Sequence, residues 1–156
     1  MSDLRTRAEV EALLIAQRPW LFRLGLAILG TRDAAEDAAQ ETLFRAARSH
    51  AKLAAADDPR AWLRRVLVRC ALDLLATRPA PPLPEDARSS GNLEREVAVR
   101  HTLARMAPED RVLLALAHME GLSYAELSET LGIPSGTVGS RLHAAREAFR
   151  KEWGDA

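Results

Sequence analysis

Residues 123–142 read SYAELSETLGIPSGTVGSRL and form the most distinctive segment of the chain. The pattern predicts a short helix, a tight turn and a second helix, an arrangement that can place a helix end in a DNA groove. Ser123 can cap the first helix, and Glu126 completes a capping box with it. Gly132 should end that helix because glycine tolerates the left-handed backbone, and Pro134 prevents continuation. The segment predicts a DNA-binding unit; an ordinary helical hairpin with a solvated basic face is the alternative.

The second helix of this unit should present a polar and basic face. Ser135 is expected to cap it, and Val138, Leu142 and Ala145 have the spacing of an inward stripe. Small hydroxyl residues near a helix start allow close approach to phosphates and base edges, with arginines further along. The predicted DNA-contacting residues are Ser135, Thr137, Val138, Ser140, Arg141, His143 and Arg146.

The composition favours an all-helical protein. Ala, Leu, Arg and Glu dominate, and aromatic residues make up only 4% of the chain. The hydrophobic content of 47% is ample for a folded core. The single cysteine, Cys70, excludes an internal disulfide and fits a reducing compartment. No signal core and no window of membrane-spanning length is expected, so we predict a cytoplasmic protein without membrane insertion.

Charge is balanced over the whole chain but not locally. The chain has 22 basic and 22 acidic residues, whereas residues 139–151 contain four basic residues and one acidic residue. Because neutralised phosphates release counterions, such a patch can bind DNA even on a neutral protein. Weak affinity of the isolated chain is the expectation.

A proline-rich segment divides the chain. Four of the eight prolines lie between residues 79 and 84, and residues 85–92 show no periodicity. Such a segment favours an extended path, and a structureless loop of this length is uncommon inside one domain. We therefore predict two small helical bundles, residues 1–78 and 93–156, joined by a flexible Pro-rich linker at residues 79–92.

Capping and proline positions set the expected helix boundaries. Asp33 should cap the third helix with Glu36 as its capping-box partner, and residues 50–58 should form a loop. The predicted helices ahead of the helix-turn-helix unit cover residues 5–17, 19–29, 33–49, 59–76, 93–106 and 108–120.

The third predicted helix carries charge on the face opposite a stripe of small residues. Glu36, Asp37, Gln40 and Glu41 form an acidic patch, and Arg45 and Arg48 follow one turn later. A solvated face with a weak Glu41–Arg45 pair is the plain interpretation. An acidic patch followed by a basic one could instead dock a protein and then nucleic acid.

The fourth predicted helix places a tryptophan among arginines. Arg60, Arg64, Arg65 and Arg69 are expected outside its apolar stripe, next to Trp62. This combination suits stacking on unpaired bases together with neutralisation of the nucleic-acid backbone. A core or edge anchor is an equally good interpretation of Trp62.

Signals for an enzyme are poor. The four histidines, His50, His101, His118 and His143, lack metal-ligand spacing. No nucleophile elbow, phosphate loop or paired-carboxylate pocket has local support. We therefore predict that the protein is not an enzyme.

Several motifs in order resemble one family across nearly the whole chain. The first half contributes DAAEDAAQETLFRA at residues 33–46 and RAWLRRV at residues 60–66, running on to Asp73. The second half contributes residues 103–111, 120–127 and 136–142. Taken together, these motifs resemble the extracytoplasmic-function (ECF, group 4) sigma factors of bacterial RNA polymerase.

The resemblance implies roles for the faces described above. Core RNA polymerase, promoter DNA and an anti-sigma factor are the implied partners, and no cofactor or metal is implied. The helix from Ser135 would read the −35 element. The residues implied to contact the clamp helices of the polymerase largest subunit are Glu36, Asp37, Gln40 and Glu41. Those implied to lie near the −10 element, where the strand is opened, are Arg45, Arg48, Trp62, Arg64, Arg65 and Arg69.

Two departures from the family pattern keep alternatives open. The sequence Leu-Leu-Ala-Thr follows Asp73 where family members usually carry arginines, and Gly139 and Ala144 stand where basic residues are common. Each lost phosphate contact should reduce the salt dependence of DNA binding by about one charge equivalent. A sigma-like mimic that sequesters an anti-sigma factor without binding promoters, and a stand-alone helix-turn-helix regulator, are the alternatives.

Overall fold

The computed structural model describes residues 5–77 and 91–154, with side chains from residue 93 onward in the second range. These residues form eight helices and no strand, which confirms the predicted all-helical class. Residues 79–90 of the predicted linker lie outside the described residues. Its last two residues, Gly91 and Asn92, already belong to a helix. The helices are α1 Arg7–Leu29, α2 Arg32–Arg48, α3 His50–Ala54, α4 Pro59–Thr77, α5 Gly91–Ala104, α6 Pro108–His118, α7 Tyr124–Leu131 and α8 Ser135–Gly154.

The first two predicted helices are one. The expected break at Pro19 is wrong, since α1 continues through this residue. Proline removes one backbone hydrogen bond, to the carbonyl of Ile15, and normally costs about 3 kcal/mol inside a helix. Ile15 and Pro19 both lie on the exposed face, so water can satisfy that carbonyl. Buried residues on both sides of Pro19, such as Leu14 and Leu21, keep the helix in one piece.

The expectation that no segment has the length of a membrane span is wrong for α1. By length and composition alone it could cross a membrane, although no window of that length was expected. Its buried residues include Val10, Leu24 and Ile28, each about 1% exposed, and they pack in the protein core. The core helix of a folded protein satisfies the same criteria as a membrane span.

The start of α2 and the segment after it differ from expectation. The cap is Thr31, whose hydroxyl accepts a hydrogen bond from the Ala34 N–H, so the predicted cap at Asp33 is wrong. The short helix α3 forms inside the segment predicted to be a loop, because Leu53 and Ala54 are buried in the core.

Small residues bring α1 and α2 close together. Of the small residues predicted to form the inward stripe of this helix, Ala35 and Ala38 are fully buried, whereas Ala47 is exposed. A Cβ atom at Gly25 of α1 would lie 3.5 Å from the carbonyl oxygen of Ala35. Close packing of these helices fixes the position of the acidic face of α2, which is exposed to solvent.

The helix-turn-helix unit forms as predicted in its first half. The Ser123 N–H donates to Glu126 Oε2 at 2.7 Å, and the Glu126 N–H donates to Ser123 Oγ at 3.2 Å. Gly132 ends α7 in the left-handed region with φ +67°. In the second half, Ser135 lies inside the first turn of α8 rather than capping it. The Thr137 N–H donates to the Pro134 carbonyl at 2.9 Å.

The two halves of the chain pack against each other. α6 contacts both α1 and α4, and the buried residues of both halves belong to one cluster. The buried guanidinium of Arg111 donates to the carbonyl of Ile28 at 3.3 Å. That carbonyl lies in the last turn of α1, where helix carbonyls lack partners within the helix. Desolvation by burial lowers the pKa of Arg111. A residue of the second half therefore helps to cap a helix of the first.

Candidate polymerase and nucleic-acid interface

The acidic patch on α2 is open to solvent. Glu36, Asp37, Gln40 and Glu41 are all exposed, on the side of the helix opposite its buried alanines. Arg45 Nε donates to Glu41 Oε1 at 2.7 Å, one turn along the helix. This hydrogen bond raises the pKa of Arg45. A second carboxylate of the patch, Glu36, lies 3.5 Å from Arg18 Nη2 of α1, so the patch is exposed but partly balanced by arginines.

An exposed aromatic residue beside this patch was missed by the sequence analysis. Phe44 is 56% exposed, and the Arg48 guanidinium lies 5.1 Å from its ring centroid. Phe44 lines a cleft between α2 and α4 with Glu41, Asp73 and other residues. Its position in the helix, outside the alanine stripe, was the available signal. The patch thus has an apolar centre that a protein partner can cover.

Cys70 also lines this cleft and is buried. Burial raises the pKa of its thiol, which therefore stays protonated at neutral pH. A protonated, buried thiol is a poor nucleophile, so Cys70 acts as a packing residue.

The arginines of α4 do not share one environment. Arg60 and Arg69 are exposed, Arg65 is half-buried, and Trp62 is half-buried against the core. Arg64 is only 8% exposed, so the expectation that it lies outside the buried stripe is wrong. The reason is tertiary: the second half of the chain covers this part of α4.

A cluster formed by Trp20, Arg60, Arg64 and Glu120 joins the halves. The Trp20 indole N–H donates to Glu120 Oε1 at 2.7 Å, and Arg64 Nη2 donates to Glu120 Oε2 at 3.3 Å. The Arg60 guanidinium stacks 4.2 Å from the Trp20 ring centroid. No local sequence pattern indicates this cluster, because Trp20 and Glu120 are 100 positions apart.

A second charge pair links α4 to the helix-turn-helix unit. Arg65 Nη1 donates to Glu129 Oε1 of α7 at 3.0 Å. Both side chains are partly exposed, at 39% and 70%, so water screens this pair. Two neighbouring arginines of α4 therefore meet carboxylates from the other half of the chain.

The start of α8 presents its polar residues to solvent. Ser135, Ser140, Arg141 and His143 are exposed, and Thr137 and Arg146 are half-buried. Val138 is fully buried with Leu142 and Ala145, as the predicted inward stripe requires. Its assignment as a DNA-contacting residue is wrong for this arrangement, since its side chain holds α8 against the core.

Two features restrict the rest of this face. Arg146 Nε donates to His118 Nε2 at 3.3 Å, so this arginine is held towards α6. A Cβ atom at Gly139 would lie 3.3 Å from Tyr124 Cε2, a tight contact. Gly139 therefore leaves space for the ring of Tyr124 at the start of α7, and a larger residue at position 139 would require this exposed ring to shift slightly.

Comparison with protein families matches both halves in order. Residues 14–79 match the Sigma-70 region 2 family, and residues 96–149 match the Sigma-70 region 4 family. The first match contains the acidic patch and the whole of α4, and the second contains the helix-turn-helix unit. Both structural faces thus lie within matched segments.

Individual proteins also resemble this chain in sequence and in fold. The chain is 32% identical over 146 residues to the ECF RNA polymerase sigma factor SigE of Mycolicibacterium smegmatis, covering 83% of this chain and 56% of that protein. It is 31% identical over 132 residues to the ECF sigma factor SigM of Mycobacterium tuberculosis, covering 81% of this chain and 67% of that protein. The fold matches CnrH, solved in complex with the cytosolic domain of CnrY, with a TM-score of 0.69 and 21% identity over 94% of this chain and 88% of that one.

The chain belongs to the ECF sigma factors of the sigma-70 family. As such it is a sigma factor that directs RNA polymerase in promoter recognition, and it is not an enzyme. The match to region 2 in the first half argues against the alternative of a stand-alone helix-turn-helix regulator.

Proposed function

We propose that the exposed start of α8 reads the upstream, −35 promoter element as duplex DNA. The observation that carries this assignment is the division of α8 into a buried side and an exposed side. Val138 and Leu142 fix the helix, while Ser140, Arg141 and His143 point to solvent. A rigid helix with short polar side chains near its start suits the major groove.

We propose that α4 and the end of α2 bind the −10 element as it opens. Arg69 and Arg48 are exposed and can neutralise phosphates. Trp62 is half-buried, and an unpaired base can stack on the exposed part of its ring. Arg45, Arg64 and Arg65 complete the set. Arg64 and Arg65 become available only when the carboxylates of the second half move away.

We propose that the acidic patch of α2 binds core RNA polymerase. Its four polar residues, Glu36, Asp37, Gln40 and Glu41, are exposed beside the apolar ring of Phe44. An apolar centre with a charged rim is the usual anatomy of a protein interface. The clamp helices of the largest subunit are the partner that the family resemblance implies.

We further propose an anti-sigma partner, action in the cytoplasm and a two-domain division. CnrH, which shares this fold, was solved with the cytosolic domain of CnrY, and RpoE of Bartonella quintana was solved with the anti-sigma factor NepR. The proposed domains are residues 1–78 and 93–156, with residues 79–92 as the linker.

Run-off transcription with purified core polymerase tests the proposal. Genomic DNA fragments serve as templates, and the RNA is sequenced to find start sites. The proposal requires transcripts that depend on this chain and share upstream sequence elements. Capture of an anti-sigma protein without any such transcript would favour the sigma-like mimic instead.

A further inference from the structure

Two of the three α4 arginines that the proposed function assigns to DNA are paired with carboxylates of the protein itself. Glu120 lies between Trp20 and Arg64, and Glu129 pairs with Arg65. Both carboxylates come from the second half of the chain. A carboxylate offers an arginine the same charge-assisted hydrogen bonds as a DNA phosphate.

We infer that Glu120 and Glu129 form an internal latch that occupies the phosphate-binding positions of α4 and holds the free chain closed. This inference rests on the proposed role of α4. Binding of the −10 strand to Arg64 and Arg65 then requires that both glutamates leave, so DNA binding and separation of the halves are coupled.

The pairing of Arg64 is incomplete, which favours an exchangeable contact. Its Nε atom is buried and has no hydrogen-bond partner among the described residues. The side chains of Arg64 and Glu120 are each about 10% exposed. They therefore form a buried ion pair in which the Arg64 Nε–H donor is unused. A buried polar atom without a partner is uncommon in a contact that serves stability alone.

The latch has a strong part and a weak part. Glu120 is largely buried, and removing its charge would leave the Arg64 guanidinium buried without a counter-ion, which strongly disfavours the closed form. The Arg65–Glu129 pair is exposed and contributes little by itself. Glu120 should therefore dominate, and Glu129 should add a smaller, salt-sensitive effect.

The test uses the full-length chain and the variants Glu120→Gln, Glu129→Gln and the double variant. Glutamine keeps the shape and can still accept the Trp20 hydrogen bond, but it has no charge. Glu11→Gln is the matched control, because Glu11 pairs with Arg7 at the exposed start of α1. Circular dichroism checks folding. Exposed Glu129 keeps the test usable if Glu120→Gln fails to fold.

Two measurements are made on each variant without polymerase. Small-angle X-ray scattering gives the radius of gyration, and fluorescence anisotropy gives the affinity for a labelled 20-nucleotide oligothymidylate. The double variant should be larger and bind this strand about five- to tenfold more tightly, because its open fraction rises. Glu129→Gln should gain about twofold or less, as expected for an exposed pair. Glu11→Gln should match the wild type.

Unchanged size and unchanged affinity in a folded double variant would overturn the latch. If the wild-type holoenzyme still makes promoter-dependent transcripts, that result leaves the proposed function intact. Conversely, a holoenzyme without promoter-dependent transcripts, together with variants that open, would contradict the proposed function and leave the latch as a conformational contact.

Discussion

The exposed face of α8 and the arginine face of α4 differ in one respect: what covers them. Ser140, Arg141 and His143 of α8 are open to solvent, whereas Arg64 and Arg65 of α4 are paired with carboxylates. Duplex DNA can reach the first face as it stands. On the second face, Arg64 and Arg65 become available only after the halves separate, whereas Arg69 is already exposed. Under the proposed roles, the duplex-reading face is therefore preformed, and the strand-binding face is partly covered.

The strongest test of the α8 face is to remove its support. Leu142→Ala should lower the free energy of unfolding by about 2–5 kcal/mol, because a large side chain that is 1% exposed leaves a cavity. The neighbouring change Arg141→Ala should alter stability by less than about 0.5 kcal/mol, since its side chain is exposed. Chemical denaturation measures both. Equal effects would show that the buried and exposed sides of α8 are assigned wrongly.

The α2 patch offers a test that leaves both DNA faces untouched. Asp37→Arg should weaken core polymerase binding by about 2–4 kcal/mol, because charge reversal on the patch would place like charges opposite each other in the interface. Binding of labelled sigma to core polymerase by fluorescence anisotropy gives the number. Binding of the free variant to −35 duplex DNA serves as the control and should not fall. Normal polymerase binding by this variant would place the interface elsewhere.

The reading role of α8 predicts an intermediate effect. Arg141→Ala should weaken holoenzyme binding to −35 duplex DNA by about 1–3 kcal/mol and reduce the salt slope by about one if the contact is to phosphate. Electrophoretic mobility shifts over a range of salt concentrations provide both quantities. Core association should be unchanged. A loss of core binding of similar size would contradict the separation of the two roles.

The smallest predicted effect concerns stability on the α4 side. Arg65→Ala should change the free energy of unfolding by less than about 1 kcal/mol, because the Arg65–Glu129 pair is exposed and screened by water. The same variant should reduce promoter opening, measured as permanganate reactivity of thymines in the −10 region. A stable variant that opens promoters normally would remove Arg65 from the strand-binding set.

Local signals predicted much of this structure. The Ser123–Glu126 capping box, the left-handed Gly132 and the buried stripe of α8 all follow from neighbours in sequence. The continuity of α1 through Pro19 could not be predicted locally, because packing on both sides of the proline outweighs its cost. Thr31 caps α2, although Asp33, two residues later, is an equally suitable residue type for a helix cap.

The candidate site was predicted unevenly for the same reason. Exposed residues of α2 and α8 follow from helix periodicity, so their positions were accessible to sequence reasoning. The burial of Arg64 depends on Glu120 and Trp20, which are distant in sequence, and no local pattern contains that information. Likewise, the contact between position 139 and the ring of Tyr124 could be recognised only once the fold was known.

Site-specific photocrosslinking in the holoenzyme tests the division of labour between α4 and α8 most directly. Benzoylphenylalanine replaces Trp62 on α4 or His143 on α8, and cross-links to promoter DNA are mapped by primer extension. We predict that position 62 reacts with the melted −10 strand and position 143 with the −35 duplex. Cross-links from position 62 to upstream duplex, or none from position 143 to the −35 element, would contradict this prediction.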